Sequence, residues 1–182
     1  MTDLTKESKN WRQQADKLLK QSNLLPLLQT EGEVIITGSY AYDLMLGGDI
    51  DLYLITPKDP KTVAQKLLTK LVKEGFWNGY MLYDWVNWRQ EYFPSGFYLG
   101  TQTDFVKNRW KVDIWVLNEF PAEQKTYKDW LEKSLNNTNR KTILELKEAR
   151  KKNRWPVDGK TIYDAVIKDK ISTPEEFAKK FI

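Results

Sequence analysis

Apolar residues recur at two spacings along the first third of the chain, and each spacing predicts a different element. In residues 4–29 they recur every three or four positions, which predicts a helix and then a second short helix beginning at Pro26. A β-branched run follows at 33–37 and an alternating run at 49–55. Runs of this length and type are typical of strands. The segment between them, SYAYDLML, predicts a short helix with Ser39 as its N-cap.

The middle of the chain continues this alternation of helix and strand. Apolar residues on one face predict an amphipathic helix at 61–74. Two segments rich in aromatic residues and threonine, 80–92 and 97–106, predict an antiparallel pair of strands. The polar residues 107–111 predict a turn, and a further strand follows at 112–117.

After Pro121 the pattern becomes helical, and it predicts helices at 122–135, 139–152, 160–169 and 174–181. The order of elements is therefore N-terminal helices, a β-rich middle with two helices, and a helical end. We expect an α+β fold with a core at 1–120 and a helical C-terminal region at 121–182. No linker is long enough to indicate independently tethered domains.

Composition narrows the chemistry that the chain can perform. It contains neither cysteine nor histidine, which excludes disulfides, thiolate nucleophiles, imidazole bases and metal sites built from those residues. A metal would be held by oxygen ligands, which favours Mg²⁺, Mn²⁺ or Ca²⁺. The net charge of +4 is compatible with RNA, DNA or a nucleoside triphosphate as partner. The sequence has no apolar run that could cross a bilayer and no signal-peptide core, so we expect a cytoplasmic protein without membrane contact.

Three aspartates stand in predicted strands where their side chains can meet. Asp49 and Asp51 are two positions apart, so they project from the same face of their strand with Cβ atoms roughly 7 Å apart. Asp113 joins the same cluster if its strand, 112–117, pairs beside 49–55. Carboxylates this close repel one another unless a cation lies between them. Two divalent metals held in this way can support in-line displacement at phosphorus, with Asp113 accepting the proton of the attacking hydroxyl.

A Gly-Ser turn precedes the first two acids in the sequence. Gly38 lets the backbone approach a phosphate closely. Backbone N–H groups at the start of the following helix favour anions, and the Ser39 hydroxyl can donate to a phosphate oxygen. We therefore expect these two residues to bind the phosphates of a nucleotide.

A resemblance to a known family is carried by residues 38–55, GSYAYDLMLGGDIDLYLI, and by residues 108–117, NRWKVDIWVL. The first segment resembles the signature of the DNA polymerase β-like nucleotidyltransferase superfamily: an apolar residue, Gly-Ser, a variable stretch and then Asp-apolar-Asp-apolar. The second is similar to the later strand that carries the third acid, where basic residues often precede the aspartate. The resemblance covers residues 33–117. Tyr42 and Gly48 depart from it, because small members often have arginine and serine there.

The resemblance implies a nucleotidyltransferase-type mixed β-sheet flanked by helices, in a small, minimal-type member with a helical C-terminal extension. It implies a two-metal transfer of a nucleoside monophosphate from an NTP, such as ATP, to an acceptor hydroxyl. Asp49, Asp51 and Asp113 would hold Mg²⁺ or Mn²⁺. RNA is slightly favoured as the acceptor, and a small molecule or a protein hydroxyl are the alternatives. A catalytically inactive module on the same fold, which binds RNA or acts as a toxin–antitoxin component, is the second hypothesis.

Other charged and aromatic residues are weaker candidates. Basic residues near the Asp113 strand can contact a triphosphate or a nucleic-acid backbone, and Arg109 and Lys111 are better placed than Arg89 and Lys107. The basic run 147–154 is more typical of a solvated helix end than of an RNA contact. We expect surface positions for Asp84 and Asp104. We expect core or sheet-face positions for five tryptophans: Trp77, Trp85, Trp88, Trp110 and Trp115.

Overall fold

The computed structural model describes residues 3–88 and 91–182. In this part of the chain there are five strands: β1 (Glu33–Thr37), β2 (Asp49–Ile55), β3 (Gly79–Asp84), β4 (Phe97–Phe105) and β5 (Asn108–Leu117). There are eight helices: α1 (Leu4–Gln21), α2 (Leu24–Gln29), α3 (Gly38–Ala41), α4 (Pro60–Glu74), α5 (Ala122–Ser134), α6 (Asn137–Asn153), α7 (Gly159–Ile167) and α8 (Pro174–Phe181).

The five strands form one mixed sheet in the order β1-β2-β5-β4-β3. β2 and β5 are parallel, and the other neighbouring pairs are antiparallel. A parallel pair needs a long connection, which α4 and the β3–β4 pair provide. The mixed sheet flanked by helices confirms the predicted fold class.

The two faces of the sheet have different characters because side chains alternate along each strand. On one face, alternate residues of β2 and β5, such as Leu52 and Ile114, are fully buried against α1, α2 and α4 in the main core. The intervening residues point to the opposite face, and all but the last of each strand, Ile55 and Leu117, are polar or aromatic.

A second core joins the C-terminal helices to the segment that follows α3. Tyr42, Leu44 and Leu46 pack there with buried residues of α6 and α8, among them Ile143 and Phe177. α1 also packs against α6. A domain boundary near residue 120 stays a prediction. Within residues 3–88 and 91–182, no helix combines the length and the apolar character needed to cross a membrane.

The structure corrects the start of the second helix and the extent of the third. α2 begins at Leu24 rather than Pro26. The helix expected over SYAYDLML is a single turn, Ser39 lies inside it, and its N-cap is Thr37. Of the apolar residues that follow, Leu44 and Leu46 are buried in the second core and Met45 in the main core, so tertiary packing outweighs their helical pattern.

The turn expected at 107–111 is tighter than the sequence indicates. Val106 and Lys107 have positive φ angles of 49° and 62°, and they close a two-residue hairpin from which β5 begins at Asn108. A pair of left-handed residues suits a two-residue hairpin because its twist matches that of the flanking strands. Arg109 and Lys111 therefore belong to a strand, whereas Lys107 lies in the turn.

The strand expected at 80–92 is also shorter. β3 ends at Asp84, whose carboxylate accepts hydrogen bonds from the backbone N–H groups of Val86 (3.1 Å) and Asn87 (3.0 Å). The side chain thus favours a local turn over strand pairing. Arg89 and the residue after it lie outside the described residues.

Candidate active site

The face of the sheet opposite the main core carries the predicted acids. Asp49 and Asp51 point to this face from β2. In the parallel β2–β5 pair, Asp51 is directly opposite Asp113, and Asp49 is opposite Lys111. Neighbouring strands lie about 4.8 Å apart. The register therefore brings Asp51 and Asp113 side by side.

Gly38 lies against one of these carboxylates. Its φ angle of 67° is left-handed, a conformation that glycine adopts at little cost. A Cβ atom at this position would lie 1.9 Å from Oδ2 of Asp51. The turn between β1 and α3 therefore needs glycine both for its backbone conformation and for its close approach to Asp51.

Two side chains hold the carboxylate of Asp113. The Tyr98 hydroxyl donates a hydrogen bond to Oδ1 at 2.6 Å, and the Lys111 ammonium donates to Oδ2 at 2.8 Å. Burial, and then the hydrogen bond to Asp113, raise the pKa of Tyr98. Burial acts to lower the pKa of Lys111, but the hydrogen bond to Asp113 and the charges of the three aspartates together raise it. Tyr98 and Lys111 therefore remain donors to Asp113 at neutral pH.

The aspartates influence one another electrostatically. Burial, followed by repulsion from Asp113 and Asp49, raises the pKa of Asp51 to about 6. Lys111 and Lys147 act in the opposite direction. Asp49 and Asp113 are thus close enough to Asp51 for their charges to disfavour its ionised form.

The three acids are of the right chemical type to bind a divalent cation, but their positions fit one less well. Carboxylate oxygens are the ligands that Mg²⁺ and Mn²⁺ prefer, and a cation relieves the repulsion that raises the pKa of Asp51. In the part of the chain that the structure describes, however, no three acidic side chains are grouped so that they could hold a metal ion. Both oxygens of Asp113 accept hydrogen bonds from protein side chains.

A cleft of about 560 Å³ opens between this face of the sheet and the C-terminal helices. Its sheet wall includes residues of the predicted site and two aromatic residues: Gly38, Ser39, Asp49, Asp51, Tyr53 and Trp115. Its helical wall includes basic and aromatic residues: Tyr127, Lys128, Lys147, Arg150, Lys151, Lys160 and Tyr163. One wall is therefore acidic and the other is basic.

Lys147 belongs to the helical wall, although the sequence interpretation placed it only in a basic run that favoured a solvated helix end. Its ammonium donates a hydrogen bond to the backbone carbonyl of Leu44 and lies 6.0 Å from the centroid of the Tyr163 ring. Burial, and then the charge of Arg150, lower its pKa to about 8. The run 147–154 therefore does not lie entirely on a solvated helix end, because its first residues line the cleft.

Several predicted basic residues lie elsewhere. Arg109 is 79% exposed, and its guanidinium lies 3.6 Å from the exposed carboxylate of Asp104. Among the described residues, the cleft lining includes neither Arg109 nor Lys111 nor Asp113. Lys107 lies at the hairpin turn. The structure thus brings the Gly-Ser turn, Asp49 and Asp51 into the cleft, while Asp113 and Lys111 lie beside it on β5.

The tryptophans predicted to fill core or sheet faces lie in different environments. Trp77 and Trp110 are buried in the main core, as expected. Trp115 lies on the acidic face of the sheet and lines the cleft. Trp88 is 60% exposed, so the expectation that it fills a core or sheet face is wrong.

Solved structures share this fold at low sequence identity. The poly(A) polymerase complex GLD-2–GLD-3 is 19% identical, with a TM-score of 0.58 over 92% of this chain and 58% of that one. The Cid1 poly(U) polymerase, with Mg and 3′-dATP bound, is 19% identical, with a TM-score of 0.54 over 83% and 43%. The polymerase core of TRAMP, an RNA surveillance complex, is 16% identical, with a TM-score of 0.57 over 92% and 51%.

The chain therefore spans 43% to 58% of the length of these three structures. At such identities the likeness establishes the fold alone. No curated protein matches the sequence. A family model described as a nucleotidyltransferase domain matches residues 17–181. Since that match covers nearly the whole chain and the fold agrees with it, the chain belongs to the nucleotidyltransferase domain family of the DNA polymerase β-like superfamily.

Proposed function

We propose that this chain transfers a nucleoside monophosphate from a nucleoside triphosphate to an acceptor hydroxyl, with Mg²⁺ or Mn²⁺ as cofactor. The observation that carries the proposal is the cleft, which has Asp49 and Asp51 on one wall and Lys147, Arg150 and Lys151 on the other. A triphosphate between these walls meets cationic side chains on one side and metal-binding carboxylates on the other.

Each residue of the sheet wall has a role in this proposal. Asp49 and Asp51 would hold the divalent cation, which supplies charge neutralisation at phosphorus and activates the attacking hydroxyl. Gly38 and Ser39 would bind phosphate oxygens through a backbone N–H and a hydroxyl. Asp113 would accept the proton of the acceptor hydroxyl. The acceptor oxygen bonds to the α-phosphorus, the bond from that phosphorus to the bridging oxygen breaks, and pyrophosphate leaves.

RNA is the favoured acceptor in this proposal, ahead of a small molecule or a protein hydroxyl. The solved structures of similar fold include poly(A) and poly(U) polymerases, and the net charge of +4 favours a polyanion. Lys111 lies beside Asp113, and we predict that it contacts the acceptor or the triphosphate once both are bound. We make the same prediction for Arg109, which lies in the β4–β5 hairpin.

The test is transfer of label from each α-labelled NTP to RNA, with Mg²⁺ or Mn²⁺. Asp51→Asn removes a cation ligand, so we expect at least a hundredfold loss of transfer. Asp169→Asn is the matched control, because Asp169 is exposed and pairs with Lys180 outside the cleft. Equal transfer by the Asp51 variant and the wild type would refute the assignment.

A non-catalytic module that binds RNA on the same fold is the second candidate. It is favoured by the two hydrogen bonds that occupy the oxygens of Asp113. It is also favoured because no three acids are grouped for a metal in the described residues. This candidate predicts that the protein binds RNA but releases no pyrophosphate with any of the NTPs, in Mg²⁺ or in Mn²⁺.

A further inference from the structure

Aromatic side chains form a continuous strip across the acidic face of the sheet and past its edge. Three of them occupy matching positions on adjacent strands, because Trp115 on β5 is opposite Tyr98 on β4, and Tyr98 is opposite Tyr83 on β3. We call these side chains the aromatic strip: Tyr83, Trp85, Trp88, Phe93, Tyr98 and Trp115.

The rings of the aromatic strip contact one another in sequence. The Trp115 ring lies 5.3 Å from Tyr98, and Tyr98 lies 5.9 Å from Tyr83, centroid to centroid. Tyr83 stacks on Trp85 at 5.3 Å with an interplanar angle of 26°, and Trp85 stacks on Trp88 at 5.1 Å with an angle of 14°. The outer part of the strip is thus a stack of nearly parallel rings.

The outer rings are open to solvent. Trp88 is 60% exposed, Phe93 is 49% exposed and Tyr83 is 37% exposed. Rings this large gain free energy when they are covered, so a contiguous exposed set is typical of a surface that binds something. Asp84 keeps its negative charge beside the strip, because the hydrogen bonds from the side chain and backbone of Asn87 lower its pKa. The attraction expected of this surface therefore comes from the rings and not from charge.

The aromatic strip begins beside Asp113 and extends away from the basic wall of the cleft, where the triphosphate would bind. Trp115 lines the cleft and stands two positions after Asp113 on β5. Tyr98 donates its hydrogen bond to Asp113 from within the strip. The cationic wall lies on the helices across the cleft. An acceptor whose hydroxyl reaches Asp113 can therefore lie along the strip while the triphosphate occupies the opposite side.

We propose that the aromatic strip binds the unpaired bases of a single-stranded RNA acceptor by stacking. This proposal rests on the proposed nucleotidyl transfer for its placement of the acceptor. Planar bases match a stack of flat rings better than aliphatic side chains do, and stacking on aromatic residues is the usual way in which proteins bind single strands without reading their sequence. Because the contact is through ring faces, it tolerates any base.

The experiment measures binding separately from catalysis. A fluorescent single-stranded RNA of about 12 nucleotides is titrated with the full chain, without NTP or divalent metal, and anisotropy is recorded. Trp88→Leu keeps an apolar side chain but removes the ring, and Trp88→Phe keeps a smaller ring. Val72→Ala is the control, since Val72 is 52% exposed on α4, which packs on the other face of the sheet.

We expect Trp88→Leu to weaken RNA binding roughly tenfold, Trp88→Phe to weaken it less, and Val72→Ala to leave it unchanged. Circular dichroism and thermal unfolding check that each variant is folded. Equal RNA affinity of Trp88→Leu and the wild type overturns the stacking surface, as does wild-type protein that does not bind the RNA. Label transfer by the same preparations is measured in parallel, so loss of the stacking surface is distinguishable from failure of the proposed activity.

Discussion

The hydroxyl of Tyr98 reaches across from β4 and donates a 2.6 Å hydrogen bond to Oδ1 of Asp113 on β5. The bond is made within a row of aromatic residues that cross the sheet. It fixes one carboxylate oxygen while Lys111 holds the other at 2.8 Å. Tyr98 is therefore a positioning residue for the third acid of the proposed site.

The first prediction is that Tyr98→Phe lowers the rate of nucleotide transfer about tenfold, because residues that orient a ligand or base typically contribute that much. The Asp113 carboxylate would lose one of its two donors and rotate more freely. Steady-state kinetics should show the loss in kcat, with KM for the NTP little changed.

Tyr80→Phe is the matched control for that variant. The Tyr80 hydroxyl donates to the backbone carbonyls of Leu71 and Trp77, away from the acids. Its loss should reduce stability by about 1 kcal/mol and leave kcat unchanged. A Tyr98→Phe enzyme as fast as wild type would contradict the positioning role.

The second prediction concerns Gly38, which differs from Gly75 in one respect. Both have left-handed φ angles, 67° and 68°, but a Cβ at Gly75 would meet nothing within 4 Å, whereas at Gly38 it would meet Asp51 at 1.9 Å. Gly75→Ala should lower the free energy of unfolding by about 1 kcal/mol through backbone strain alone. Gly38→Ala should lower it further and abolish transfer, as measured by chemical denaturation and label transfer.

Comparison of the two glycine variants isolates the contact with Asp51 from the cost of the backbone conformation. If Gly38→Ala retains transfer and unfolds at the same denaturant concentration as Gly75→Ala, the close approach of Gly38 to Asp51 contributes neither to transfer nor to stability.

The third prediction is that Lys147→Gln weakens NTP binding about tenfold, since a charge-assisted hydrogen bond to phosphate is worth on the order of 2 kcal/mol. Lys147 lines the cleft beside the acids, whereas Lys152 is exposed on the same helix. Lys152→Gln should therefore leave binding unchanged. Isothermal titration with a non-hydrolysable NTP measures both constants, and equal values for the two variants would exclude a phosphate role for Lys147.

The fourth prediction is a pH effect on stability that comes from Glu31. Its side chain is only 2% exposed and forms ion pairs with Lys58 (2.7 Å) and Lys66 (2.6 Å). The hydrogen bonds from Lys58 and Lys66 lower its pKa from 4.5 to about 2. The folded state therefore binds this proton less readily than the unfolded state, so the contribution is complete above pH 4.5 and is lost as the pH falls toward 2.

Glu31→Gln should accordingly lower the free energy of unfolding at pH 7 by on the order of 2 kcal/mol. The difference from wild type should shrink as the pH falls from 5 toward 2. Glu33→Gln, at an exposed position of β1, serves as the control with little effect. Denaturant titrations at several pH values measure this, and a constant difference across that range would contradict the ion-pair explanation.

Most elements of the fold could be predicted from the spacing of apolar residues. β2 and the four C-terminal helices have strong periodic patterns, and their bounds agree with the structure within a few residues. The errors lie where side chains form local turns. Asp84 ends β3 by accepting backbone hydrogen bonds, and the hairpin at Val106 and Lys107 depends on two left-handed residues that have no glycine to indicate them.

The site could be predicted where local sequence determines it and could not where distant segments meet. Asp49 and Asp51 share a face by alternation alone, whereas the donors to Asp113 depend on the registers of β4 and β5. Lys147 was obscured by the basic run around it. Its position three and four residues after the buried Leu144 and Ile143 places it near the apolar side of α6, and that spacing could have identified it.

The parallel pairing of β2 with β5 also has a consequence for how the protein acquires activity. α4 and the β3–β4 pair separate the two strands in sequence, so Asp51 and Asp113 become neighbours only after a long loop has closed. Non-local contacts of this kind form slowly. During synthesis on the ribosome, the chain cannot bring these two acids together until β5 has emerged, so we expect chains that end before β5 not to catalyse the proposed transfer.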